Sequence, residues 1–148
     1  MAEPSSEIER PRAGILLTGS ELVTGAISDA NGPWLARELG ALGFDVVHTV
    51  IAGDRPDDLR ASLDFLVTEG CVLIVTSGGL GPTADDLTAE VVAEFAGVEL
   101  VLDEEVRSHI EARIAGWARR SGFAGPALDA ATRKQAMVPV GATVLPPT

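Results

Sequence analysis

The feature that most constrains the fold of this chain is a short apolar run, followed by glycines and then by a helical pattern. Residues 71–75 are continuously apolar, which is typical of a central parallel strand covered on both faces. Beyond the glycines, Leu87, Val91 and Phe95 recur at helical spacing, and Gly97 stands where helices commonly end. The pattern predicts a strand, a turn and a helix of an open α/β sheet, and such folds bind ligands at this edge.

The turn between that strand and helix, residues 76–88, carries residue types suited to an anion. Glycines permit positive φ and leave room for a ligand against the backbone, and amides ahead of a helix N-terminus favour phosphate. The candidate phosphate or ligand residues of the turn are Ser77, Gly78, Gly79, Leu80, Gly81, Thr83 and Thr88. Asp85 and Asp86 are candidate ligands of a divalent metal ion, and the alternative interpretation is that one of them caps the helix.

The turn also resembles a known family. The string Gly-Gly-Leu-Gly-Pro-Thr-Ala-Asp-Asp-Leu-Thr at 78–88 is similar to the signature of the competence/damage-inducible protein A (CinA) family. The N-terminal domain of that family belongs to the molybdopterin-binding (MoaB/Mog-like) superfamily. Two further stretches share the resemblance, a G-x-E-L-x-x-G element at 19–25 and an R-K-Q-A segment at 133–136. It implies a three-layer doubly wound α/β sandwich with a mostly parallel sheet.

Further site residues follow from this resemblance. The resemblance implies that Gly19, Glu21 and Asn31 contact a ligand. The alternative for Glu21 is a solvated loop carboxylate, and the alternative for Asn31 is a helix N-cap. Asp54 follows the second predicted strand. Similarity to the superfamily implies that Asp54 joins Asp86 at a catalytic, metal-binding site, whereas the residues alone equally favour an N-cap.

One positively charged pair has two interpretations. Arg133 and Lys134 are the densest positive pair in the chain. They face either a ligand phosphate or solvent at a helix end.

Composition excludes several classes of protein. The net charge of −11 opposes the basic surface of a nucleic-acid binder, so a small nucleotide or pterin is the expected partner. No apolar run approaches the roughly 20 residues that span a bilayer, and no membrane association is expected. A single cysteine and a polar N-terminus without a signal-peptide pattern favour the cytoplasm. Because relatives of this fold commonly associate, a homo-oligomer is expected.

The domain boundaries are predicted at 1–12 for a flexible lead-in and at 13–148 for the molybdopterin-binding-like domain. Family members continue into a G-T-A-P-G loop with further sheet and helix, and this sequence ends before that loop. The C-terminal domain associated with amide hydrolysis of nicotinamide mononucleotide is also missing, so that activity is not expected. Residues 140–145 should either lead into a strand or begin one. The domain is predicted to be truncated, prone to association and a poor catalyst.

Three functional hypotheses remain open on the sequence. The resemblance implies metal-dependent pyrophosphatase activity on an ADP-ribose-type nucleotide. One alternative is a molybdopterin adenylyltransferase-like role in molybdenum cofactor biosynthesis, with molybdopterin as the ligand. The other alternative is a non-catalytic binding module or inactive fragment.

Overall fold

Three parallel strands form the main sheet of the protein. The computed structural model describes residues 9–121 and 125–145. Within these residues, strands β1 (Arg12–Thr18), β2 (Asp45–Ala52) and β3 (Leu73–Ser77) pair in the order β2-β1-β3. Ile15 of β1 pairs with Thr49 on one side and with Val75 on the other. The first and third strands along the chain are therefore neighbours in this sheet.

The middle strand of this described sheet is β1, and the prediction that the run at 71–75 would form a central strand was wrong for the described residues. Ile15, Leu16 and Leu17 are fully buried, whereas every residue of β3 is only half-buried. The apolar content of the two strands did not distinguish β1, which pairs on both sides, from β3, which pairs on one side in the described sheet. The six residues before Gly19 are buried without alternation, as expected of a strand covered on both faces.

The remaining elements are helices and one antiparallel pair of short strands. The helices are α1 (Ser20–Val23), α2 (Asn31–Ala41), α3 (Pro56–Thr68), α4 (Thr88–Ala96), α5 (Glu104–Ser121) and α6 (Pro126–Gln135). Strands β4 (Leu100–Leu102) and β5 (Met137–Pro139) pair antiparallel. In the part of the chain that the structure describes, no helix is long and apolar enough to cross a membrane.

The chain divides into two compact units. The first extends to Gly53 and includes Ala61–Ser77, and the second comprises Asp54–Arg60 and the chain from Gly78 onward. The first unit contains the parallel sheet, with helix α2 packed on β1 and β2. The second contains helix α4, which contacts β4 and β5. It also contains helices α5 and α6, which contact each other. Of the predicted lead-in, residues 1–8 lie outside the described residues, and Arg12 already belongs to β1.

The start of α2 corrects the predicted role of Asn31. The Asp29 carboxylate accepts from the amides of Asn31 at 2.9 Å and of Gly32 at 3.0 Å, so Asp29 satisfies the free amides of the first turn. Asn31 is therefore not the capping side chain. Its amide group is left free to contact another part of the first unit.

The start of α4 likewise excludes the capping interpretation of the aspartates. The N-cap position is Leu87, and no side chain makes a cap hydrogen bond there. Neither Asp85 nor Asp86 is the N-cap of α4. The predicted end of the helix is confirmed, because Gly97 adopts the left-handed conformation at the C-terminus with a φ of 69°.

The last strand occurs earlier than the sequence predicts. Strand β5 covers Met137–Pro139, and residues 142–145 form neither helix nor strand. The amide of Val140 still donates to the Glu99 carbonyl at 2.8 Å. A strand of three residues is too short to show a periodic pattern in the sequence. Its position is therefore set by pairing with β4.

Candidate functional site

In the second unit, the turn that begins at Gly78 has the backbone conformation its glycines predicted. Gly78 has a φ of 105° and Gly79 a φ of 61°, values that residues with side chains rarely adopt. Within the described residues, the amides of Gly79 and Leu80 donate to no backbone carbonyl. Successive unpaired amides beside left-handed residues form a concave site for an anion. This turn therefore has the donors that a phosphate group requires.

The interior of the turn is organised by the Asp86 carboxylate. Asp86 Oδ2 accepts from the Thr83 amide at 2.8 Å and from the Thr83 hydroxyl, and the Asp86 amide donates to the Thr83 carbonyl at 3.2 Å. A Cβ atom on Gly81 would lie 2.5 Å from Asp86 Oδ2. Gly81 does not adopt positive φ, so this position requires glycine because the carboxylate approaches its backbone.

These contacts keep Asp86 ionised. Hydrogen bonds from the Thr83 side chain, then from the backbone of Thr83 and Gly81, lower the pKa of Asp86 below its ordinary value of 3.8, and the charge of Lys134 adds to this effect. Asp85, next to it in the sequence, is exposed. The two aspartates therefore differ: Asp86 is a structural anion of the turn, and Asp85 faces solvent.

Helix α6 contributes a cation to this turn. The Lys134 ammonium donates to the Thr83 carbonyl, 51 residues away in the sequence. Lys134 is half-buried, whereas Arg133 is exposed. The two interpretations of the Arg-Lys pair are therefore divided between its members: Lys134 is at the turn and Arg133 is at the surface.

Thr88 closes the turn. Its amide donates to the Gly79 carbonyl at 3.0 Å, and the residue is only 3% exposed. By contrast, the Leu80 side chain is 57% exposed. Thr88 therefore fixes the end of the turn from the interior, and Leu80 extends outward from it.

Asp54 belongs to the same unit as Asp86 and lies between the end of β2 and the start of α3. It is half-buried. No group of three or more His, Cys, Asp or Glu side chains that could enclose a metal ion occurs among residues 9–121 and 125–145. The described residues thus lack an all-protein metal cage. The carboxylates fit only an ion that takes most of its ligands from water or substrate, as Mg²⁺ commonly does.

In the first unit, two candidate ligand residues contact each other. Asn31 Nδ2 donates to Ser77 Oγ at 3.0 Å, joining the start of α2 to the end of β3. The pair is separated by 46 residues. Asn31 therefore has a different role from the predicted cap: it positions the hydroxyl at the end of β3, where the chain enters the turn at Gly78.

The glycine-bounded segment after β1 also belongs to the first unit. Gly19 has a φ of 154° and its amide donates to the Ala52 carbonyl at 3.0 Å. A Cβ on Gly19 would lie 2.7 Å from Glu21 Oε1, so the Glu21 carboxylate folds back over this glycine. The segment contains the single helical turn α1, where only a loop was expected. Glycine content predicted the bend but gave no indication of the helical turn.

Two contacts of these sites were not predicted. The role of Asp29 at the start of α2 had a local signal. Aspartate is a preferred capping residue, and Asp29 lies only two positions before Asn31, whose amide donates to it. The contact of Lys134 with Thr83 had no comparable local signal, since the partners are distant in the sequence.

Comparison with known proteins places the chain and its fold in a family. The model of the family described as "Probable molybdopterin binding domain" matches residues 14–145. The chain belongs to this family of molybdopterin-binding domains, and its α/β sandwich is of the MoaB/Mog-like type. It is similar to a CinA-like protein of Mycobacterium sp. (strain JLS), at 56% identity over 92% of the chain, and to one of Mycobacterium tuberculosis (strain ATCC 25177 / H37Ra), at 50% identity over 92%. The resemblance to CinA drawn from the turn is confirmed.

The curated relatives are longer proteins. The chain spans about one third of their length, 32% of the Mycobacterium sp. protein and 33% of the Mycobacterium tuberculosis protein. A solved structure of CinA from Thermoplasma acidophilum is 27% identical with a TM-score of 0.71, covering 88% of this chain and 72% of that one. The tungsten cofactor synthesizing protein MoaB from Pyrococcus furiosus is 24% identical with a TM-score of 0.60, covering 74% and 68%. The MoaB likeness shows the fold alone.

Proposed function

We propose that the protein binds a phosphate-bearing nucleotide on the turn from Gly78 to Thr88 and hydrolyses the pyrophosphate bond of an ADP-ribose-type substrate. The observation that carries the proposal is the pair of left-handed glycines beside the unpaired amides of Gly79 and Leu80. Backbone donors of this kind hold phosphate without requiring a basic surface. They therefore suit a chain whose net charge is −11.

The proposed reaction divides the substrate at its anhydride. A water oxygen bonds to one phosphorus atom, and the bridging oxygen leaves with the other phosphate, giving AMP and ribose 5-phosphate. The amides of Gly79 and Leu80 would stabilise negative charge on the phosphate oxygens in the transition state. Preorganised donors of this type act without rearrangement at the moment of reaction, and the bonds within the turn keep them in place.

We assign metal binding to a pair of carboxylates, Asp86 and Asp54, and not to a cluster of three that includes the exposed Asp85. Only Oδ2 of Asp86 accepts from Thr83, so Oδ1 is the oxygen assigned to an ion. A divalent ion shared with substrate phosphates would offset their charge and favour ionisation of water. One or two carboxylates suffice for such an ion, in agreement with the absence of a larger acidic cluster in the described residues.

A second candidate function is transfer of an adenylyl group to a pterin phosphate. It is favoured by the structural likeness to MogA, which is 26% identical with a TM-score of 0.54. The same amides would hold the phosphate, with molybdopterin as the ligand. The nucleophile separates the two functions, because a pterin phosphate replaces water in the second.

The test compares substrates under one set of conditions. The purified chain is incubated with Mg²⁺ or Mn²⁺ and either ADP-ribose or ATP plus molybdopterin, and products are separated by chromatography. AMP with ribose 5-phosphate supports hydrolysis, and adenylylated pterin supports the second candidate. Binding of ADP-ribose by calorimetry without either product would favour a non-catalytic binding module and contradict the proposed catalysis.

The role of the turn is tested by Gly79→Val. With a φ of 61° at this position, a β-branched side chain is strained in the native conformation, and the amide geometry should be lost. ADP-ribose affinity is expected to fall by more than ten-fold, while the circular dichroism spectrum stays close to that of the wild type. Gly43→Val is the control, since Gly43 also has positive φ (94°) with open space around it. Equal loss in both variants, or none in Gly79→Val, would remove the turn from the mechanism.

A further inference from the structure

Lys134 is held firmly at the end of helix α6. Thr132 and Ala136, on either side of it, are fully buried. The helix is followed at once by β5, which pairs with β4, and the Ala136 carbonyl accepts from the Asp103 amide at 3.0 Å. The backbone position of Lys134 is therefore fixed by packing within the second unit.

The side chain of Lys134 reaches the residue pair that organises the glycine turn. Its ammonium donates to the Thr83 carbonyl, and Thr83 in turn donates to Asp86. An ammonium group has three N–H donors and no acceptor. One donor is used by Thr83, so two are available at this edge of the turn.

The charges of the turn give those donors a use. Asp85 and Asp86 are both negative, and the whole chain carries a net charge of −11. A phosphate that enters the turn meets repulsion from these carboxylates, and backbone amides offset it only in part. A cation already in contact with the turn lowers this repulsion.

We propose that Lys134 binds the anionic ligand of the turn. One N–H remains on the Thr83 carbonyl, and the other two point to phosphate oxygens of a nucleotide or of pyrophosphate. Lys134 thereby also holds the segment from Gly81 to Asp86 in its binding conformation. This inference rests on the proposed phosphate-binding function and adds a specific side chain to it.

The neighbouring Arg133 provides a matched control. It has the same charge, lies in the same last turn of α6 and is exposed. Its replacement removes one positive charge from the same region without removing the contact with Thr83. A difference between the two positions therefore reports the contact and not the overall charge.

The experiment measures binding of inorganic pyrophosphate and of ADP-ribose by calorimetry. The proteins are the wild type, Lys134→Met, Lys134→Arg and Arg133→Gln, each checked for its melting temperature. Met retains the length of the apolar stem, and Arg restores the charge. Lys134→Met is expected to weaken both probes by about ten-fold or more, the usual range for a hydrogen bond to a charged group. Lys134→Arg should recover part of this loss, and Arg133→Gln should stay within about two-fold of the wild type.

Each alternative result contradicts a different claim. Wild-type affinity in Lys134→Met would overturn the role of Lys134 and leave the proposed function in place. Equal losses at positions 133 and 134 would show a general charge effect and overturn the specific contact. If Lys134→Met melts much lower and Lys134→Arg restores stability without affinity, the residue is structural only. A wild type that binds neither probe would reject the proposed function together with this inference.

Discussion

Two glycine-bounded segments follow parallel strands in this protein, and they are stabilised in different ways. The segment after β1 is closed mainly by backbone hydrogen bonds between near neighbours, such as Leu22 to Gly19 at 3.1 Å and Thr24 to Ser20 at 3.0 Å. The segment after β3 is organised by a carboxylate, Asp86, and by a lysine from a distant helix. The first is a local structure, and the second depends on residues brought together by folding. Only the second places unpaired amides and opposite charges in one turn.

The largest effect that would test this comparison is expected from Gly81→Ala. The added methyl group would lie 2.5 Å from Asp86 Oδ2. The carboxylate must therefore move away, and its hydrogen bonds from Thr83 are broken. We expect a loss of about 1–2 kcal/mol in the free energy of unfolding, with a fall of more than ten-fold in pyrophosphate affinity. Chemical denaturation and calorimetry measure the two quantities.

The control for this change lies in the first segment. Gly25 has a φ of 73°, and a Cβ there would meet no atom within 4 Å, so Gly25→Ala adds only backbone strain of about 1 kcal/mol. We expect its pyrophosphate affinity to be unchanged. Loss of affinity in Gly25→Ala would show that the first segment also serves the ligand, and the distinction between the two segments would fail.

A smaller effect is expected from Asp86→Asn, and it should depend on pH. Because the pKa of Asp86 in the folded protein lies below its ordinary value of 3.8, the carboxylate stabilises the fold above that value. This contribution is lost as pH falls through the lowered pKa. The difference in unfolding free energy between wild type and Asp86→Asn should therefore be largest near neutral pH and shrink in acid below about pH 4.

The exposed neighbour gives the comparison for that measurement. Asp85→Asn removes the same charge without removing a hydrogen bond to Thr83. Its stability difference from the wild type is expected to be within about 0.5 kcal/mol. The structural role assigned to Asp86 would be contradicted if the unfolding free energy of Asp86→Asn depended on pH as that of the wild type does. It would also be contradicted if Asp85→Asn and Asp86→Asn showed the same pH dependence.

The smallest effect is expected from Glu21→Ala in the first segment. Glu21 is exposed and follows Gly19 in a segment closed by backbone bonds, so unfolding should change by less than about 0.5 kcal/mol. Pyrophosphate affinity should stay within two-fold of the wild type or rise slightly, because one negative charge is removed. A strong loss of affinity would instead assign Glu21 the ligand contact that the family resemblance implies.

Much of the fold followed from local patterns. Leu59, Leu63 and Leu66 recur at helical spacing and are buried in α3, and Asp103 caps α5 through bonds to Glu105 and Val106. Such features depend on residues within one or two turns of each other, so the sequence displays them. Leu42 continues the helical spacing of Leu35 and Leu39, but it is 75% exposed because α2 has ended at this position and the chain turns at Gly43.

The candidate site was predictable in its backbone and less so in its side chains. Positive φ at Gly78 and Gly79 follows from glycine being the residue that adopts it readily. The orientation of Asp86 into the turn did not follow, since metal ligand, helix cap and structural anion all use the same residue type. The capping alternative failed because α4 begins two residues later, at Thr88.

The sequence by itself determined the strand–turn–helix unit around residues 71–97 and the family. These depend on short-range periodicity, on capping and on an eleven-residue string that is read directly. Tertiary structure alone decided that β1 lies between β2 and β3, that Asn31 binds Ser77 and that Lys134 reaches Thr83. The reason is physical: contacts across 46 and 51 residues form only when packing brings whole elements together, and no local preference of either partner encodes the other.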